Sequence, residues 1–138
     1  MLVKDMMKTQ LVTLNVDSKL GFAEDIMYLG RIRHIPVIDG ENIVGLLTQR
    51  DLYKASLTSI VTSWEENKEF LDSVKIAEVM TKNVSTITPD LKIEEAARIM
   101  IDKKIGCLPV VKEKNRLVGL ITETDVLQYF VSESKKKS

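Results

Sequence analysis

Apolar and polar positions along the 138 residues alternate between short β-rich runs and stripes of helical period. Leu20, Ala23 and Met27 fall on one helical face, and Ile93, Ala96, Ala97 and Met100 fall on another. Each set makes an apolar stripe that has to pack on a sheet or a second helix, so the spacing predicts two amphipathic helices. Ahead of them, LVTL at 11–14 and VSTI at 84–87 are short and rich in β-formers, which predicts a strand in each place. Behind them, IPVI at 35–38 and LPVV at 108–111 lead through the polar turns DGEN and KEKN into IVGLLT at 43–48 and LVGLIT at 117–122. Near-continuous apolar strands of this kind are buried on both faces.

These elements come twice because the chain is an internal repeat. At a shift of 73, Met7, Thr13, Asp17, Lys19, Ala23, Ile26, Met27, Ile32, Pro36 and Val37 fall on Met80, Thr86, Asp90, Lys92, Ala96, Ile99, Met100, Ile105, Pro109 and Val110. One extra residue in the second turn moves the shift to 74, and Val44, Gly45, Leu46, Thr48 and Asp51 then fall on Val118, Gly119, Leu120, Thr122 and Asp125. About fifteen identities over roughly 50 aligned positions far exceed what composition produces.

The organisation that follows is a first repeat at 1–55, a helical connector at 56–75, a second repeat at 76–132 and a disordered tail at 133–138. The connector carries Trp64, Phe70 and Leu71 at helical spacing and holds no proline or glycine. The fold class expected is α+β with small sheets: two β-α-β-β-α repeats packed about a pseudo-twofold axis, with clefts between the copies. A unit of about 55 residues is too small to bury its own sheet well, which is why the copies should pack together. Asp17 and Asp90 are the expected caps of the two amphipathic helices.

Composition narrows the function classes. With 44% hydrophobic and 29% charged residues the chain is globular, and 20 basic residues cancel 20 acidic ones. A formal net charge of zero gives no broad phosphate-neutralising surface, so nucleic acid is not an expected partner. The single cysteine, Cys107, and the single histidine, His34, leave no disulfide framework, no Cys/His metal cage and no nucleophile–base pair. No apolar run reaches the roughly 20 residues that a membrane helix needs, and the expected location is cytoplasmic.

Chemistry is concentrated in GLLTQRD at 45–51 and GLITETD at 119–125. Each sets a hydroxyl and a carboxylate three residues apart where a buried strand turns into a helix: Thr48 with Asp51, and Thr122 with Asp125. One reading is a capping box, in which the threonine accepts from the third helical N–H and the acid reaches back. The other is a ligand site: a helix N-terminus offers N–H groups and a positive dipole end to a phosphate, and a carboxylate can accept from two vicinal ribose hydroxyls. The two are compatible.

The duplicated x-P-V strand, the duplicated G-h-h-T-x-x-D element, the D-x-K-h-x-x-A segments at Asp17 and Asp90, and the leading segments VKDMM and IAEVM together resemble the paired cystathionine-β-synthase domains, the CBS pair or Bateman module. The resemblance spans residues 2–131. It implies a non-catalytic regulatory module that binds AMP, ADP, ATP or a related adenosyl ligand in clefts between the copies, with no covalently bound cofactor. It further implies a homodimer that signals to a separate effector protein. By position, Asp51 and Asp125 would hold ribose hydroxyls, with Thr48 and Thr122 beside ribose and phosphate. Thr13, Ile35 and Pro36 in copy one, and Thr86, Leu108 and Pro109 in copy two, would contact adenine.

The two copies differ in charge near these positions. Arg31, Arg33, His34 and Arg50 of copy one are set against Lys104, Gly106, Cys107 and Glu123 of copy two. Guanidinium groups suit bidentate phosphate binding, so a phosphate is expected on the side lined by copy one, with Glu123 opposing an equally phosphorylated ligand at the other site. Arg31 and Arg33 also read as a solvated strand edge, His34 as a surface or packing histidine, and Cys107 as a small buried apolar residue. The competing function is a ligand-free interaction scaffold whose T-x-x-D elements only cap helices.

Overall fold

The computed structural model of the chain describes residues 1–57 and 64–137. Its elements in chain order are α1 (Val3–Met6), β1 (Leu14–Asn15), α2 (Leu20–Gly30), β2 (His34–Asp39), β3 (Asn42–Thr48), α3 (Gln49–Leu57) and α4 (Trp64–Ser73). A single 3-10 turn (Ile76–Glu78) leads to α5 (Ile93–Lys103), β4 (Cys107–Lys112), β5 (Arg116–Thr122) and α6 (Glu123–Lys137). The fold is mixed α+β, as the periodicity predicts. The connector's Trp64–Ser73 portion is helical, and residues 58–63 of it lie outside the described residues.

Two compact units form, and their limits are not those of the sequence repeats. One unit joins Met1–Leu11 to Ser85–Ser138; the other is Val12–Val84. Each repeat thus gives its leading segment to the unit built on the other, and the bonds that fasten the segments are the same in both. Ile93 N–H donates to Met1 O at 3.2 Å and Val3 N–H to Leu91 O at 2.8 Å. In the other unit, Leu20 N–H donates to Val74 O at 2.8 Å and Ile76 N–H to Ser18 O at 2.9 Å. Val3 and Ile76 are completely buried by this docking. Their apolar side chains complete the two cores, which is what holds each leading segment in place.

The same bonds correct the expected helix caps. The N-cap residues of α2 and α5 are Lys19 and Lys92, neither making a side-chain cap bond. The first N–H of each helix is satisfied by a backbone carbonyl of the docked segment, so an aspartate cap is not required. Asp90 instead pairs with Lys4 at 3.2 Å.

Within the Val12–Val84 unit, β1 runs parallel to β2, and β2 is antiparallel to β3. The core is Leu14, Leu20, Ala23, Met27, Ile35, Val37, Leu47, Leu52, Leu71 and Ile76. In the other unit β4 and β5 form the matching antiparallel hairpin, and Val3, Ile87, Ile93, Ala96, Met100, Leu108, Val110 and Ile121 fill the core. Every helical stripe position named above is buried except Ala97, which is partly so.

The leading strands are shorter than the sequence predicts. β1 holds two residues, Leu14 and Asn15, and in the other copy only Ile87 bridges Val110. Ile87 N–H donates to Pro109 O at 3.0 Å, and Val111 N–H donates back to Ile87 O at 2.8 Å. The next rung would need an N–H from Pro109, which has none, so the ladder stops there. At the other end of the chain, α6 continues through Lys137. Glu and Lys are good helix formers, lysines suit the negative end of the helix dipole, and Lys136 pairs with Glu133 at 3.5 Å.

Candidate functional site

The hairpins bring most of the candidate residues together. In β2 and β3, His34 stands opposite Thr48, Ile35 opposite Leu47 and Pro36 opposite Leu46. In β4 and β5, Cys107 stands opposite Thr122, Leu108 opposite Ile121 and Pro109 opposite Leu120. Gln49 N–H donates to Arg33 O, and Glu123 N–H donates to Gly106 O, both at 2.9 Å. The start of each final helix is thereby tied to the residue that precedes the x-P-V strand. Thr13 and Thr86 sit one residue before the pairing positions Leu14 and Ile87, which sets them level with Pro36 and Pro109 of the x-P-V strands.

Both T-x-x-D elements are caps. Thr48 N–H donates to Asp51 Oδ2 at 3.0 Å, and Asp51 N–H donates to Thr48 Oγ1 at 3.1 Å, a reciprocated capping box. In the second copy, Thr122 N–H and Thr122 Oγ1 both donate to Asp125 Oδ2, at 2.9 and 3.1 Å. The aspartates are therefore held rigidly in the first turn of α3 and α6, with capacity left on the carboxylate, since it offers about four lone-pair sites.

Each carboxylate also meets a residue of the docked leading segment that the sequence reading missed. Thr81 Oγ1 donates to Asp51, at 3.0 Å to Oδ2 and 3.3 Å to Oδ1. Lys8 Nζ reaches Asp125 Oδ1 at 2.9 Å. A signal for them was present, because the shift of 73 that aligns Met7 with Met80 also aligns Lys8 with Thr81. What the repeat could not show is that each segment docks on the unit built around the other copy.

Ile35 and Leu108 are completely buried members of the two cores. Cys107 is also buried, and that burial, with a smaller push from Asp125 and a smaller opposing pull from Lys8, raises its thiol pKa to about 12. It is a packing residue without thiolate chemistry at neutral pH. Arg31 and Lys104 occupy the left-handed position that ends α2 and α5, with φ of 53° and 54°. Arg33 and Arg50 are exposed at the rim of the cap.

The pairing of Arg50 with Glu123 across the repeat is corrected by the strand ends. Thr48 and Thr122 close β3 and β5, so Gln49 corresponds to Glu123, and Arg50 to Thr124. The partner of Arg33 is Gly106, and the Glu123 carboxylate lies over it: a Cβ built there would stand 3.1 to 3.2 Å from Glu123 Cδ and both oxygens. Among the described residues, no group of three potential ligands could hold a metal ion, and no helix is long and apolar enough to cross a membrane.

The CBS domain family model matches residues 3–58 and again 76–132. A CBS domain-containing protein of Dictyostelium discoideum is 33% identical over 134 residues, covering 94% of this chain and 91% of that protein. Enzymes also match, but the chain spans only 23% of the homoserine O-acetyltransferase of Methanohalobium evestigatum, at 32% identity over 90% of this chain. Among solved structures, a proposed acetoin utilization protein (AcuB) of Vibrio cholerae superposes with a TM-score of 0.81 at 33% identity, over 100% of this chain and 97% of that one. The CBS domain pair of protein MJ0100, solved in complex with 5′-methylthioadenosine and S-adenosyl-L-methionine, gives a TM-score of 0.79 at 28% identity, over 94% and 99% of the two chains. With the duplicated strand, cap and docked segment matched twice along its length, the chain belongs to the CBS domain family.

Proposed function

We propose that this protein is a ligand-sensing regulatory module that holds an adenosyl ligand at its threonine–aspartate caps, without catalysing a reaction of its own. The observation that carries the reading is the similarity, over nearly the whole chain, to a CBS domain pair solved with two adenosyl ligands. The geometry supports it. Asp51 and Asp125 are fixed by their caps at a helix N-terminus, where a carboxylate can accept ribose hydroxyls while neighbouring N–H groups and the helix dipole favour an anionic substituent. Thr48 and Thr122 flank the same position, and His34, Pro36 and Pro109 line the adjoining strands. Arg33 and Arg50 supply cations at the Asp51 site. In this reading AMP, ADP or ATP is the regulatory ligand, and the module works in the cytoplasm as a homodimer that passes its ligand state to a separate effector protein.

A ligand-free scaffold is favoured by one specific observation: both carboxylates already have protein partners, in Thr81 and Lys8. Titration calorimetry with AMP, ADP, ATP, methylthioadenosine and S-adenosylmethionine separates the readings. The sensor reading expects at least one of them to bind, and expects Asp51→Asn or Asp125→Asn to abolish that binding. At one hundred times its dissociation constant the ligand should add about 2.7 kcal/mol to stability. Absence of heat and of thermal stabilisation with all five would overturn it in favour of the scaffold.

A further inference from the structure

Positions 8 and 81 are equivalent in the repeat and equivalently anchored, yet differ in chemistry. Lys8 exchanges backbone hydrogen bonds with Leu120 at 2.9 and 3.0 Å, and Thr81 does the same with Leu46 at 2.8 and 3.0 Å. From these matched anchors the Lys8 ammonium reaches Asp125 at 2.9 Å, whereas the Thr81 hydroxyl reaches Asp51 at 3.0 Å. One cap therefore carries a cation beside its carboxylate and the other a neutral donor.

We propose that Lys8 is a specificity-determining residue. It fits the Asp125 site to an adenosyl ligand with an anionic group, such as a nucleoside monophosphate, in preference to an uncharged adenosyl thioether. This rests on the reading of Asp125 as a ribose-binding group and deepens it. An ammonium has three donors, of which Asp125 engages one. The Lys8 side chain is 54% exposed while that of Asp125 is 13% exposed, so the remaining donors face outward from a carboxylate that is itself sheltered. Asp125 Oδ2 is taken up by Thr122, and Oδ1, shared with Lys8, keeps a lone pair for one hydroxyl. A ribose hydroxyl on Oδ1 therefore lies beside the ammonium, and a phosphate on the same sugar can take its free N–H groups. Because the backbone of residue 8 is pinned on both sides, little ordering remains to be done on binding. The cation also offsets Glu123, two residues before Asp125 in the same first turn of α6. Copy two of the repeat lacks the arginines of copy one, and the docked segment of the other repeat supplies its charge.

The test is calorimetry with AMP and with methylthioadenosine on the wild-type chain, Lys8→Thr and Thr81→Lys, the Asp125 site being identified by its loss in Asp125→Asn. Lys8→Thr is expected to weaken AMP about tenfold at that site, as the loss of a charged hydrogen bond does, and to leave methylthioadenosine within about twofold. Thr81→Lys, which keeps Lys8 in place, is expected to strengthen AMP at the Asp51 site. AMP affinity unchanged in Lys8→Thr overturns the proposal. An equal fall for both ligands also overturns it, showing that Lys8 serves only to fasten the segment. A wild-type chain that binds neither nucleoside refutes the ribose-binding reading itself, before any variant is compared.

Discussion

Substituting alanine for Gly119 tests whether the docked leading segment is part of the unit's packing or merely lies on it. A Cβ at Gly119 would stand 2.5 Å from Met7 Sδ, 3.0 Å from Met7 Cγ and 3.1 Å from the Lys8 carbonyl oxygen. At the equivalent Gly45 the contacts are 2.4, 2.9 and 3.1 Å, all to the Met80 side chain. Methionine turns about three bonds and yields readily. The Lys8 carbonyl cannot, because it accepts from Leu120 N–H at 3.0 Å. Overpacking costs about 1–3 kcal/mol, and replacing a strand glycine by alanine otherwise returns about 0.5–1 kcal/mol. Gly45→Ala should therefore cost about 1 kcal/mol or less, and Gly119→Ala about 2 kcal/mol. In urea, with a slope of about 2 kcal/mol per molar, the Gly119→Ala midpoint should fall by about 1 M at unchanged slope. Adding Met7→Ala should relieve part of the crowding, giving a coupling of at least about 0.5 kcal/mol in the double-mutant cycle. A Gly119→Ala midpoint no lower than that of Gly45→Ala, or additivity with Met7→Ala, would refute the argument.

Other consequences are equally direct. Thr48→Ala removes the hydroxyl that accepts from Asp51 N–H and should cost about 1 kcal/mol in chemical denaturation, the usual worth of an N-cap. Cys107, with its thiol pushed up to about 12 by burial, should react with Ellman's reagent at pH 8 only as fast as the unit opens, and at once in denaturant. Glu24 in α2 is raised above 4.5 first by burial and then by Asp25, with Asp72 adding and Lys68 opposing. The folded state thus holds that proton more tightly than the unfolded chain, a contribution present below 4.5 and lost as pH rises through the folded pKa. Glu24→Gln should accordingly melt higher than wild type at pH 7, and the gain should vanish on acidification toward that value. Glu123→Gln should tighten AMP at the Asp125 site by removing the acid beside Gly106, measured in the same calorimetric titration.

The elements themselves were legible because their causes are local. Leu20, Ala23 and Met27 could form a buried face only as a helix, and the x-P-V and G-h-h-T runs could be buried only as strands. The caps were legible for the same reason, since Thr48 and Asp51 lie within one turn of each other, and duplication made the motif specific. Even the family could be identified, because the motifs recur in a fixed order. The short leading strands were readable in part: the proline that ends the ladder is plain in the sequence, but that it adjoins Val110, the partner of Ile87, depends on strand register.

Which copy completes which is settled only by long-range packing. Met1 and Val74 occupy equivalent positions, and periodicity gives no reason for either carbonyl to cap the helix of the opposite repeat. That choice depends on a loop path and on burying Val3 and Ile76, which are contacts over long sequence separations with no local signature. The same choice brings Lys8 to Asp125 across 117 positions and so sets the charge of a site that copy two alone would leave acidic. The repeat, its main helices and strands and its threonine–aspartate pairs were fixed by the order of residues alone, because these follow from neighbours within a turn or a strand. Only the folded chain decided the composition of each site, because a carboxylate's partner is whatever packing brings within about 3 Å of it.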